Sequence, residues 1–96
     1  MRAIAQSTPS VVHPAAMITG AQIRAARALL GWTSQQLAEA SGVSYASISR
    51  AEQNDGVPGM RATSLAAIQG ALEAGGIIFL RYGDTRDGGP GVRLKG

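Results

Sequence analysis

Residues 34–53, SQQLAEASGVSYASISRAEQ, constrain this chain more than any other stretch. They read as two short helices joined by a turn of three or four residues. Leu37 and Ala38 belong to the first helix, Gly42 to the turn, and Ile48 and Ala51 to the second. The small side chain of Ala38 lets the two helices approach closely. Gly42 can take the left-handed backbone conformation that ends a helix without a Cβ penalty. Val43 and Ile48 then fall where the second helix has to bury a branched side chain against the first. The rest of the chain reads as support for this pair.

That support begins at Thr19. Thr19 and Gln22 have capping-box spacing, with Ile18 before the cap and Ile23 inside it as a hydrophobic staple. Ile23, Ala26 and Leu30 follow at three- and four-residue spacing and mark one buried helical face, and Gly31 ends the helix. Trp32 reads as a lid on the core in preference to a base-stacking residue. Thr33 and Gln36 repeat the capping-box spacing and open the next helix, which runs to about Ala40. Ser44 is a natural N-cap for the third helix, about residues 44–53. The glycines and proline of NDGVPGMRAT predict a loop. Thr63 or Ser64 is expected to cap a fourth helix with Leu65, Ile68 and Leu72 inside and Gly75-Gly76 as its stop.

Beyond residue 76 the pattern changes. Ile77, Ile78, Phe79 and Leu80 form a short β-favouring run, and GVRLK at 91–95 alternates apolar with basic. The turn-rich YGDTRDGGPG between them predicts a β-hairpin, with Val92 and Leu94 opposite part of the 77–80 run. Both faces of the first strand are apolar. The helices can cover one, and a lone two-stranded hairpin is marginal. Pairing with a second copy answers both points, so Ile77, Ile78, Phe79, Leu80, Val92 and Leu94 are the expected dimerisation residues.

The chain divides into an arm at 1–17, a helical domain at 18–75 and a hairpin at 76–96. The arm holds Pro9, Pro14 and the lone His13, which has no Asp, Glu or Cys nearby and is not expected to be catalytic. Met17 directly precedes the first helical signal, and one expectation is that translation can begin there. Ninety-six residues suggest a single domain. With no cysteine, disulfides and thiolate metal sites are excluded. No P-loop, metal-ligand cluster or nucleophile with a plausible base is present, so neither an enzyme, a cofactor nor a metal is expected. No apolar run approaches a membrane span or a signal peptide, which predicts a cytoplasmic protein without a membrane partner. The net charge of +3 favours nucleic acid only weakly. Within residues 18–74, Arg24, Arg27, Arg50 and Arg61 are balanced by Glu39, Glu52, Asp55 and Glu73, and the surplus lies at the ends.

The 34–53 pair has the pattern of a helix-turn-helix, whose second helix can lie in the major groove of DNA. On the residues IRAARALLGWTSQQLAEASGVSYASISRAEQ, with Leu37, Ala38, Gly42, Val43, Ile48 and Glu52 as signature positions, the chain resembles the phage-repressor/Cro-like (XRE) helix-turn-helix transcriptional regulators. The likeness covers about residues 19–74. It implies a mainly α, lambda-repressor-like bundle of four to five helices, here with a C-terminal β-hairpin. It also implies repression as a homodimer on a palindromic operator of double-stranded DNA, with the third helix in the major groove. An Arg–Glu pair between the first and third helices is usual in the family, and Arg27 and Glu52 occupy those positions as a structural salt bridge. Ser34 stands where Gln is common, and Ala51 where a bulky apolar residue is usual.

The third helix presents Tyr45, Ala46, Ser49 and Arg50 away from its core positions, and these are the candidate base contacts. Arg50 can grip guanine O6 and N7 in a bidentate fork. Its competing reading is a solvated charge at a helix C-terminus, which the helix dipole also favours. Thr33, Ser34, Gln35 and Ser44, at helix N-termini, and Arg61, before the fourth helix, are candidate phosphate anchors. A different class of function also remains open: an antitoxin, or an adaptor whose strand 77–80 binds a toxin or RNA polymerase.

Overall fold

The computed structural model describes residues 17–80 and 89–96. Residues 1–16 of the predicted arm, with His13, and the turn residues 81–88 lie outside the described residues. Four helices, α1 (Gly20–Leu30), α2 (Ser34–Ser41), α3 (Tyr45–Glu52) and α4 (Ala62–Ala74), precede two strands, β1 (Ile77–Leu80) and β2 (Gly91–Leu94). The fold is mainly helical with a C-terminal antiparallel hairpin, compatible with a lambda-repressor-like bundle.

Local chemistry sets most boundaries. At the start of α1 the Thr19 side chain accepts from Gln22 N, and Gln22 Oε1 accepts from Thr19 N at 2.8 Å. Thr33 and Gln36 do the same at α2. Gly31 ends α1 at φ 70°, with Gly31 N donating to Ala28 O and Trp32 N to Arg27 O. That pair of bonds is a Schellman motif, which satisfies the last carbonyls of a helix. Gly42 ends α2 at φ 76°. Beside it Ser41 Oγ donates to Leu37 O at 2.7 Å and accepts from Val43 N at 3.2 Å, bracing the turn.

The fourth helix departs from expectation. It starts at Ala62 with Arg61 as N-cap and has no side-chain cap, so Thr63 and Ser64 lie inside its first turn. The extended Arg61 backbone already offers its carbonyl to Leu65 N at 3.0 Å, which begins the helix before either hydroxyl is reached.

One core joins these elements. Ile23 and Ala26 of α1, Leu37 and Ala38 of α2, Ile48 and Ala51 of α3, Leu65, Ile68 and Leu72 of α4, and Ile77 of β1 are all buried, with Ile18 before the first cap. Trp32 packs against this cluster, close to Gly75. The hairpin pairs Ile77 with Leu94, Ile78 with Arg93, Phe79 with Val92 and Leu80 with Gly91. Phe79 and Val92 pack toward the core, and α1 lies against both strands.

Gly20 is where α1 meets the end of α3. Its N–H donates to Gly56 O at 2.8 Å. A Cβ there would overlap the carbonyl oxygens of Ala51 and Asn54. Gly70, on the exposed side of α4, would meet nothing within 4 Å. The two glycines therefore respond oppositely to alanine. Gly20→Ala should destabilise by ~1–3 kcal/mol through overpacking. Gly70→Ala should stabilise by ~0.5–1 kcal/mol through helix propensity. Thermal unfolding of the two variants checks both signs.

Candidate nucleic-acid interface

Helix α3 is two-sided. Ile48, Ala51 and Glu52 are buried, whereas Tyr45, Ala46 and Arg50 are exposed, Tyr45 at 54 %. At 3.6 residues per turn Ala46 and Arg50 sit opposite the buried stripe, with Tyr45 and the half-buried Ser49 to one side. The four candidate base contacts thus share one surface. Ser47, half-buried on the other flank, was absent from that set. Its Oγ accepts from Arg50 Nη2 at 3.4 Å and from Ser44 Oγ at 3.0 Å. Arg50 and Ser47 also border an open cleft of about 150 Å³ shared with Asn54 and Gly59.

The inner side of α3 is held by arginines of α1. Arg27 Nε and Nη2 donate to the two carboxylate oxygens of Glu52, both at 2.9 Å, and Arg27 Nη1 donates to Trp32 O at 2.9 Å. The pair is largely sheltered, with the Arg27 side chain 25 % exposed and that of Glu52 9 %. Hydrogen bonding to Glu52, partly opposed by burial, raises the Arg27 pKa above its already high value. Arg27 is therefore a permanent cation committed to the scaffold. Arg24, unassigned by the sequence pattern, donates through Nη1 to the Glu52 carbonyl and through Nη2 to Asp55 at 2.6 Å. It holds the C-terminus of α3 to α1, although the Arg24–Asp55 contact itself is solvent-exposed.

The candidate phosphate anchors at α2 and α3 lie where backbone donors have no partner among the described residues. Thr33 Oγ1 takes Gln36 N and Thr33 O takes Leu37 N, which leaves the N–H groups of Ser34 and Gln35 pointing out of α2. Ser44 Oγ takes Ser47 N, leaving those of Tyr45 and Ala46 at α3. Gln35 also reaches Glu39 at 3.4 Å. Arg61 is exposed at the uncapped start of α4. None of the four helices has an acidic residue in its first turn, so no carboxylate competes for these ends.

The expected dimerisation residues divide. Ile77, 3 % exposed, is spent on the core of its own chain, and Phe79 and Val92 pack against that core. The side chain of Ile77 is therefore unavailable to a partner. Ile78 and Leu80 alternate to the other face and are half-buried, and Leu94 is 46 % exposed.

Among the described residues no cluster of His, Cys, Asp and Glu is placed to hold a metal ion, and no helix is long and apolar enough to cross a membrane. A protein-family model described as helix-turn-helix matches residues 23–66, from within α1 to the first turn of α4. No curated protein matches the chain. The matched span contains both helices of the opening pair and stops short of the hairpin.

Breaking the pair from one side should strand a sheltered charge. Glu52→Gln should lower stability by ~3 kcal/mol, read as an earlier midpoint in denaturant. Asp55→Ala, at the exposed pair, should cost less than ~1 kcal/mol in the same titration.

Proposed function

Residues 23–66 belong to the XRE helix-turn-helix family of DNA-binding regulatory domains, and from that premise we propose that this chain is a sequence-specific transcriptional repressor. It binds double-stranded DNA in the cytoplasm as a homodimer on a palindromic operator, with α3 in the major groove. The observation that carries this reading is the two-sidedness of α3: one side is buried through Ile48, Ala51 and Glu52, the last paired with Arg27 of α1, and the other offers Tyr45, Ala46, Ser49 and Arg50.

In this reading each exposed group has a task suited to its chemistry. Arg50 forks onto the O6 and N7 of a guanine, a contact worth ~1–3 kcal/mol of discrimination. Ala46 is short enough to meet a thymine methyl, and Tyr45 donates its hydroxyl to a phosphate or base. Ser49 adds an adaptable hydroxyl at the edge of the surface. The free N–H groups at the starts of α2 and α3 hold phosphates, with Thr33, Ser34, Gln35 and Ser44 around them. Arg61 adds a cation beside the start of α4. Two copies related by two-fold symmetry place their third helices one turn of DNA apart, ~34 Å.

The dimer contact in this reading uses the hairpin face that carries Ile78 and Leu80, with Leu94, the register partner of Ile77, exposed at the edge of the opposite face. These same residues are what an antitoxin or adaptor would offer a toxin or RNA polymerase. Size-exclusion light scattering of the protein alone separates the two: a dimer mass supports self-association, and a clean monomer removes it. For DNA, sites selected from random sequence give the operator. Arg50→Ala should then lose about tenfold or more in affinity and relax preference at one base pair. Arg61→Ala should weaken binding evenly across sequences and reduce the salt slope by about one. Unchanged affinity and preference in Arg50→Ala would remove its base-reading role.

A further inference from the structure

Gln22 has more to do than cap a helix. It is buried at 5 % exposure, and both polar atoms of its amide are engaged. Oε1 accepts from Thr19 N at 2.8 Å, while Nε2 donates to Leu80 O at 3.1 Å and to Gly91 O at 3.0 Å. The assignment of oxygen and nitrogen is fixed chemically, because one partner is a donor and two are acceptors. Leu80 and Gly91 are register partners on the two strands, so one side chain grips both at the same level of the ladder. At the other end Lys95 N donates to Gly76 O at 2.7 Å, and Ile77 enters the core beside α4.

The same stretch of α1 also holds the recognition helix. Gly20 meets the end of α3 and the loop that follows it, Arg24 donates to the Glu52 carbonyl, and Arg27 pairs with the Glu52 carboxylate. The hairpin and α3 are thus both referenced to one rigid element. The choice of residue sharpens the point. Glu at this third helical position would complete the capping box equally well and suit the helix dipole better. A carboxylate, however, has no proton for Leu80 O or Gly91 O. At α2, where no strand lies over the box, Gln36 is exposed and only caps.

We propose that Gln22 is a positioning residue that fixes the hairpin against the recognition helix and so determines which half-site spacing a dimer accepts. This rests on the dimeric, DNA-reading function above. It predicts a loss of geometry without a loss of the individual half-site contact.

The test uses Gln22→Glu, which keeps the acceptor for Thr19 N and turns both donors into a charge facing two carbonyls. Wild-type protein and variant are titrated on palindromes of the selected half-site, with the separation changed one base pair at a time, and on a single half-site. The expected result is a dimer that keeps single half-site affinity within about twofold. Its discrimination among spacings should fall about tenfold, equivalent to ~1.4 kcal/mol. A dimeric Gln22→Glu protein with the wild-type spacing profile overturns the inference and leaves the dimer reading standing. A wild-type monomer by light scattering overturns both. An equal loss on the single half-site makes Gln22 ordinary scaffold and overturns the inference as well. If Gln22→Glu does not fold by circular dichroism, Gln22→Met, of similar length and without donors, takes its place and is judged by the same outcomes.

Discussion

The bidentate contact between Arg27 and Glu52 is the constraint on which the interface depends. Helix α3 has eight residues, too few to hold itself together in water. Its apolar contribution to the core is Ile48 and Ala51, one large side chain and one small. The remaining inner position carries a carboxylate, and a buried carboxylate is stable only if fully paired. The fork geometry of a guanidinium meets both its oxygens in a single orientation. A hydrophobic pair in the same place would tolerate sliding and rotation of the helix. This one fixes which residues of α3 face outward, and Arg27 adds the start of the α2 approach by holding Trp32 O.

Features that depend on near neighbours were legible in the sequence. Both capping boxes, the glycine that ends α2, the inner face of α4 and the register of Val92 against the first strand follow from spacing within one element or one hairpin. What stayed hidden acts across distance. Gln22 was already explained by its cap, so nothing signalled two further acceptors 58 and 69 residues away. Nothing in the sequence marks Gly20, whose closeness to the carbonyls of Ala51 and Asn54 comes from another helix. Arg24 enters the sequence reading only as one charge in a balance, because a backbone carbonyl at the end of another helix leaves no mark in a sequence. The start of α4 was misplaced for a different reason. Thr63 and Ser64 are good caps, but a backbone already extended at Arg61 begins the helix without one.

The charge distribution and the helix ends also belong together. Residues 18–74 carry no net charge, and two of the four arginines there are engaged with Glu52. An anion approaching this surface meets helix termini more than side-chain cations: the outward amides of α2 and α3, and the uncapped turn of α4. Such donors are fixed in direction and need no side chain to be ordered on contact, unlike a flexible lysine. A surface built this way discriminates by where an anion sits as well as by how much charge it has.

For the proposed reading of DNA, the shortness of α3 has a consequence in the currency of information. Eight residues span about 12 Å along a helix axis, the length of some three or four stacked base pairs. A word that short recurs throughout any genome, where competing sites number in the millions. Arg24 and Gly20 close the C-terminal end of the helix against α1, so the word cannot be lengthened by simply adding a turn. In the proposed dimer, a reader with so small a vocabulary gains meaning from syntax, from how far apart two words stand and which way each is turned.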